Sequence, residues 1–498
     1  MPGVTVTTSL RTGGVGANVA PASTLFIIGT SERGPAASPL LLTSFADFEK
    51  YFGDYTSSGT LYQHLQVYFE EGGLRAYTQR VIGTGGVAAS ATLSNTGSAV
   101  ITLNAVGVGT WANGSASAGL QVVVSGSGAT RTVQVKNDGV TVWTSAPLST
   151  RDSIVSDINA NVGYLMTATA GATDALPDAA TTSFSAGAND SAATAANHTD
   201  ALTGFGYELG PGVVIIAEQG LAVVSGSSTV GAIIGTHCLA NNRLGFVAAN
   251  SSATGSATLV TDASSLASTL GIENSSYVAA FFPHITVPIR IRNSANSTLT
   301  LTVQSTTLAA AKRAQAHLAQ GPWRAGAGEI GASNMGAAMA TAFNKSIGDT
   351  LDDSRINALR VVNDTTRIYG ARSISTDETN WRFYTSRDTI NFAVGQIEQA
   401  LEAYVFRPID SRGNLFAQIA ASCTAIMEKV RLAGGLYELV DTSGVALDRG
   451  YTVVCDSTNN PAAQIAAGEV RATVNMRVSN IGDTIAVTIY KTGLTSGV

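Results

Sequence analysis

The stretch Thr24-Leu-Phe-Ile-Ile-Gly-Thr-Ser-Glu-Arg-Gly-Pro35 decides how the chain is read. Leu25 to Ile28 are all apolar, with no alternation, and Gly29 follows at once. An unbroken apolar run of this length, stopped by glycine, suits a strand buried on both faces, as in a parallel sheet. The next fifty residues support that reading. Ser44 stands as a helix N-cap with Asp47 three residues on, a capping-box pattern. Phe45, Phe48 and Phe52 then recur at helical spacing, and Gly53 stops the helix. Leu61, Leu65, Tyr68 and Phe69 mark a second helix with Gly72 just past its end, and the run Arg75–Gly83 is a second strand. The outline over residues 21–83 is β-α-α-β.

The same grammar returns after residue 200. Val213–Ala217, Leu244–Ala248 and Val278–Phe282 are apolar strands, and Thr306–Gln320 is helix-like. Strands alternating with helices predict a parallel sheet covered on both faces. Between the two halves the composition changes. From Gly85 to Thr130 there is no charged residue, and residues 84–199 carry nine in all. Short alternating runs and Asn137-Asp138-Gly139 between two of them predict hairpins, so this segment is expected to be an inserted all-β sandwich or barrel. Beyond residue 346, Ile390, Val394, Ile397, Leu401 and Tyr404 stripe one helix that Pro408 ends. Phe416, Ile419, Cys423, Ile426 and Val430 stripe another. The expected organisation is an arm at 1–20, the N-terminal part of a core at 21–83, the insertion at 84–199, an α/β middle at 200–345, a C-terminal domain at 346–480 and an arm at 481–498. The fold class is α/β and α+β, multidomain.

Both tips are strand-like. Val4 and Val6 alternate with Thr5 and Thr7, and Ile485, Val487 and Ile489 alternate near the other end. Neither has a sequence neighbour to pair with. Gly13, Gly14 and Gly16 follow the first.

Composition excludes several classes. Only 13% of residues are charged, about half the usual share, which suits secreted β-rich proteins and subunits of large assemblies. The net charge of −6, with no clustered basic face, gives no nucleic-acid partner. No run of 18 or more apolar residues points to a membrane span, and no basic-then-apolar leader is seen at the N-terminus. Cys238, Cys423 and Cys455 fit no zinc or disulfide spacing and are expected as buried thiols.

The search for chemistry returns nothing specific. Gly326–Gly331 reads Gly-Ala-Gly-Glu-Ile-Gly, the dinucleotide spacing, but Pro322 stands before it where the fingerprint needs a strand. His64, His198, His237, His284 and His317 form no metal pair. Glu70-Glu71 and Asp352-Asp353 read as solvated charges, and Lys429 and Arg431 as solvated cations or an interaction patch. No catalytic, cofactor or metal residues are assigned. That points to a structural protein, with a secreted adhesin and an α/β hydrolase as the other classes.

An ordered series of segments adds to this. PGVTV (2–6), FIIGTSERGP (26–35), LLTSFADFEKYFG (41–53) and EGGLRAYTQRV (71–81) come first. YVAAFFPHITV (277–287) and GPWRAGAGEIGA (321–332) follow, then DTTRIYGARSIS (364–375), the long run 380–410 and YTVVCDSTNNPAAQIAAGEV (451–470). Together they resemble the contractile tail sheath family of bacteriophages and related injection systems, over about half the chain. The resemblance implies that both tips leave their own subunit and complete a small sheet in a neighbour. The donors would be Val4, Thr5, Val6 and Thr7 at one end and Ile485, Val487 and Ile489 at the other, with Gly13, Gly14 and Gly16 as the arm hinge. It implies a homo-oligomer of stacked six-fold rings around an inner tube protein, with baseplate and tail terminator proteins as further partners. It implies no cofactor, no nucleic acid, no membrane insertion and no enzymatic activity. The place implied is a virion tail assembled in the cytoplasm of a bacterial host, and the process contraction leading to genome ejection. The tube-facing helix would be Asn414–Leu432, with Lys429 and Arg431 as possible tube contacts.

Overall fold

The structure is a computed structural model; it describes residues 23–115, 117–217, 230–249, 256–291, 298–410 and 412–483. Strand β1 (Leu25–Gly29) is buried along its whole length. It is followed by β2 (Leu40–Leu42), α1 (Phe45–Phe52), α2 (Leu61–Glu70) and β3 (Ala76–Arg80). Ser44 caps α1 as its spacing suggests: its hydroxyl accepts the Asp47 N–H at 3.2 Å, and Asp47 accepts the Thr43 N–H in return. Gly53 ends the helix at φ 92°, a left-handed geometry that favours glycine. The short edge strand β2 was not legible in the sequence.

The insertion occupies the chain beyond β3. Strands β4 (Ser90–Asn95) and β5 (Ser98–Ala105) form one sheet with β9 (Met166–Ala170). Strands β6 (Leu120–Ser125), β7 (Thr132–Asn137) and β8 (Val140–Thr144) form another with β10 (Ala180–Ser183). Asp138 and Gly139 make the β7–β8 turn with positive φ at both positions, as a tight hairpin requires. The all-β expectation needs one correction. Helix α3 (Arg151–Val162) lies against the sheets and buries Ile154, Ile158 and Val162. These three fall at i, i+4 and i+8, a helical stripe that the strand-like composition around it outweighed.

Helix α4 (Ala195–Thr203) already belongs to the parent domain, since His198 is buried and Ala201 and Leu202 pack on the large sheet. Then come β11 (Val213–Ile216), α5 (Val230–Asn241), β12 (Leu244–Ala248), α6 (Ser256–Ser275, bent at Gly271) and β13 (Val278–Phe282). A small sheet of β14 (Ile285–Arg290), β15 (Thr298–Val303) and β16 (Ala338–Met339) brackets α7 (Ser305–Ala319) in the sequence. Helix α8 (Lys345–Asp353) leads to β17 (Ile356–Val362) and β18 (Thr365–Ile368).

The large sheet has eight strands in the order β18-β17-β13-β12-β11-β1-β3-β2. The inner six run parallel, and the two edge strands are antiparallel. Side-chain alternation in β1 divides the core. Leu25 and Ile27 join α1, α2 and α7 on one face, while Phe26 and Ile28 join α4, α5 and α6 on the other. The sheet does not stop near residue 345: β17 pairs with β13, and Ala371, Ile374 and Tyr384 still pack in its two cores, so the parent domain extends beyond Ile368.

The remaining elements are α9 (Tyr384–Leu401), α10 (Asn414–Leu432), the hairpin β19 (Leu439–Val440) with β20 (Ala446–Asp448), then β21 (Tyr451–Val454), α11 (Ala462–Ala466) and β22 (Thr473–Met476). Strands β21 and β22 pair with each other in a separate two-stranded sheet. Ile397, Phe416, Ile419, Cys423 and Met427 make a fourth core with Val453, Val474 and Met476.

Candidate functional site

Among the described residues no catalytic centre emerges where the sequence left the door open. Gly326–Gly331 is a loop of turns after α7, with no helix directly after it. Its glycines have a packing reason. A Cβ on Gly326 would sit 2.5 Å from the Arg313 backbone nitrogen, so only glycine lets this loop lie against α7. Three of the histidines, His64, His198 and His284, are buried, and His237 and His317 are partly buried. His64 Nδ1 lies 2.7 Å from the Thr60 carbonyl and His198 Nδ1 2.7 Å from the Thr194 carbonyl, each one helical turn back. Burial pulls the pKa of His64 and of His284 down to about 4, and burial together with the Arg243 charge pulls His237 down to about 3. His317 lies 2.8 Å from Asp388, but both side chains are closed inside the protein at 6% and 3% exposure. The three cysteines are free and buried. Among the described residues no group of His, Cys, Asp or Glu is arranged to hold a metal ion. No helix among them is long and apolar enough to cross a membrane.

What the structure does concentrate is buried charge on α7, where the C-terminal helix α9 meets the parent domain. Glu71, expected in the sequence as a solvated charge, is fully buried. Its carboxylate accepts the Lys312 ammonium at 2.8 Å, the Ser333 hydroxyl at 2.5 Å and the N–H groups of Asn334 and Met335 at 2.7 and 3.0 Å. That many donors satisfy a carboxylate without water, which explains the departure. One residue on, Arg313 donates Nε and Nη2 to the two oxygens of Asp388 on α9 at 2.7 and 2.5 Å, a bidentate pair. Burial would raise the Asp388 pKa, but Arg313 and His317 outweigh it and hold it below the ordinary value. Arg387 of α9 is also buried. It donates to Ser276 and Glu273 and lies over the rings of Trp381 and Tyr277. Two of these contacts, Arg313 with Asp388 and Arg387 with Ser276 and Glu273, fix the first half of α9 to the parent domain. Sequence reasoning missed them. The available signal was Lys312-Arg313 inside an otherwise alanine-rich helix.

The surface of the C-terminal domain is unusually apolar. Phe406 is 81% exposed and takes a left-handed backbone at φ 65°. Leu432, Tyr437, Leu439, Val440, Val445 and Leu447 are exposed as well. The sheet β21–β22 lies on α10, and among the described residues neither of its outer edges pairs with a further strand. Helix α10 spans Asn414–Leu432, the expected bounds. Lys429 is exposed on it, whereas Arg431 is engaged within its own chain, with Glu428 and with Glu438 at 2.8 Å. The expected strand donors Val4, Thr5, Val6, Thr7, Ile485, Val487 and Ile489, and the expected hinge glycines Gly13, Gly14 and Gly16, lie outside the described residues.

No protein-family model matches the chain, and no curated protein matches it. Solved structures do match over nearly the whole length. The sheath tail protein from Listeria innocua superposes with a TM-score of 0.58 at 14% identity, covering 93% of this chain and 96% of that one. The sheath tail protein from Desulfitobacterium hafniense gives 0.53 at 11%, covering 91% and 93%. The PVC sheath of an extracellular contractile injection system, in its contracted state, gives 0.54 at 13%, covering 99% and 98%. The chain therefore has the fold of these sheath proteins.

Proposed function

We propose that this chain is a structural subunit of a contractile sheath, and no enzyme. The observation that carries the reading is the sheet β21–β22, two strands of four residues with both edges open among the described residues, set in a domain whose surface exposes Phe406, Leu432, Tyr437 and Leu447. A two-stranded sheet is marginal by itself, and an open edge is a template for a further strand. The strand-like tips at Val4–Thr7 and 485–489 supply such strands. In this reading they leave their own subunit and add to β21–β22 of neighbours, with main-chain hydrogen bonds giving the affinity. Contacts of this kind are head-to-tail, and they generate rings and helical stacks. Stacked six-fold rings then surround an inner tube, with α10 and Lys429 toward it, and the stack ends at baseplate and terminator proteins. Contraction is a rearrangement of nearly rigid subunits from a metastable to a better-buried lattice, driving the tube through a target envelope as part of a phage tail or related injection device. The shared fold with sheath proteins supports this reading.

Sedimentation tests it. The full chain is expected to pellet as polymer, and a chain ending at Asp483 to stay at the size of a monomer. Equal pelleting of the two overturns strand donation from the C-terminal tip.

A further inference from the structure

After β22 the chain does not remain on the C-terminal domain. The Ser479 N–H donates to the Gly435 carbonyl at 3.0 Å, and Val478 bridges to Leu436. Two residues later Ile481 packs on the core beneath the large sheet. Asp483 then reaches the parent domain, 3.3 Å from Arg372 Nη2 and 3.4 Å from Arg382 Nη2.

The receiving site is built. Arg372 is mostly buried, and its Nε and Nη2 donate to the two oxygens of Asp352 on α8 at 2.9 and 2.5 Å. Its backbone N–H donates to Asn357 Oδ1 on β17 at 2.6 Å, which ties it to the large sheet. Arg372 and Arg382 both lie over the Phe383 ring, at 5.8 and 5.5 Å. Glu378 sits 3.1 Å from Arg355, 3.9 Å from Arg382 and 4.0 Å from Arg372. The parent domain thus contributes three guanidinium groups and two carboxylates, a surplus of one positive charge. Asp483 supplies the missing carboxylate.

We propose that this cluster is the anchor of the C-terminal arm. Asp483 fixes on the large-sheet domain the point from which residues 484–498 depart. Tension on that arm is then taken by Arg372, Arg382 and β17, and the two-stranded sheet β21–β22 of the same subunit is spared it. The mechanical half of this inference rests on the sheath reading; the anchoring half rests on the geometry alone. An exposed ion pair is a weak tie, but here Arg372 is preorganised by Asp352, Asn357 and Phe383, so the arm root meets a rigid partner. Because the outer pairs face water, salt loosens them.

The test is Asp483→Asn in the full chain, beside the charge-retaining variant Asp483→Glu. Hydrogen exchange at the amides of residues 479–483 in the unassembled protein reads the anchor directly. Asp483→Asn is expected to exchange several-fold faster there, with the urea midpoint unchanged, and Asp483→Glu to stay nearer the original rate. Unchanged exchange in Asp483→Asn overturns the anchor. The critical concentration for assembly reads the mechanical half: it is expected to rise several-fold in Asp483→Asn, more steeply with added salt. Faster exchange with an unchanged critical concentration overturns that half. If the unmodified chain does not assemble, the sheath reading fails while the exchange result still decides the anchor.

Discussion

Glu71 and Lys312 stand 2.8 Å apart in the interior although 241 residues separate them in the chain. The pair joins the end of α2 to the middle of α7, and through Arg313 next door the connection continues to Asp388 on α9. A buried pair is costly to break from one side, since the remaining charge is left uncompensated. Lys312→Met is therefore expected to cost about 3–5 kcal/mol. Adding Glu71→Gln should recover part of that loss. Urea unfolding at pH 7 measures both. A loss below about 1 kcal/mol in the single variant contradicts the role given to the pair.

Acid should weaken the fold before ordinary carboxylates titrate. His64, His237 and His284 are held neutral by burial, with pKa values of about 4, 3 and 4 against 6.5 in an exposed chain. Below pH 6.5 the unfolded chain binds protons that the folded chain refuses, so stability is full above that pH and falls as pH drops toward 4. Asp388 extends the loss to still lower pH, because its folded pKa is depressed and its contribution disappears only as that value is passed. The urea midpoint measured from about pH 7.5 to about pH 4.5 should decline steadily, and His64→Gln should flatten the slope. A flat profile contradicts the neutral, buried assignment.

The insertion should be removable. Its two ends meet: the Gly83 N–H donates to Asp190 at 2.6 Å and the Thr84 N–H to the Ser191 hydroxyl at 3.0 Å. It has its own core, and it touches the parent domain through contacts such as Arg33 over Trp111 and Lys50 over Tyr164. Replacing residues 85–190 by a short glycine-serine linker should leave a protein with cooperative unfolding and the circular dichroism of the remaining elements. Loss of cooperativity would show that the two cores fold as one.

Phe406 places an aromatic ring in water on a left-handed backbone. Glycine takes that backbone freely, and the exposed ring contributes little packing to the subunit. Phe406→Gly is expected to hold the unfolding free energy or raise it by up to about 1 kcal/mol, with the urea midpoint moving the same way, while weakening assembly. A clear drop in the midpoint contradicts the view that this ring is spare in the isolated subunit.

Most of the parent fold was legible because its signals are local. Leu25–Ile28, the Ser44–Asp47 cap and the Ile390–Leu401 stripe each state an element within a few residues. The Asn137-Asp138-Gly139 turn did the same for one hairpin. The features that stayed hidden depend on distance. Strands β17 and β18 read as part of a later unit, yet hydrogen bonding to β13 places them in the large sheet. Helix α3 was masked by the β-rich composition on either side. Glu71 looked solvated because its four donors come from α7 and from residues 333–335, and Asp483 gave no hint of Arg372. No local pattern encodes contacts made across more than a hundred residues.

The central claim is that the terminal strands weave copies of this chain into a sheath. Negative-stain electron microscopy of the purified full chain, beside a chain lacking residues 1–16, tests it most directly. The account predicts hollow tubes or rings from the full chain and dispersed particles from the truncated one. A full chain that stays a monodisperse monomer at every salt concentration, even when co-expressed with a candidate tube protein, contradicts it.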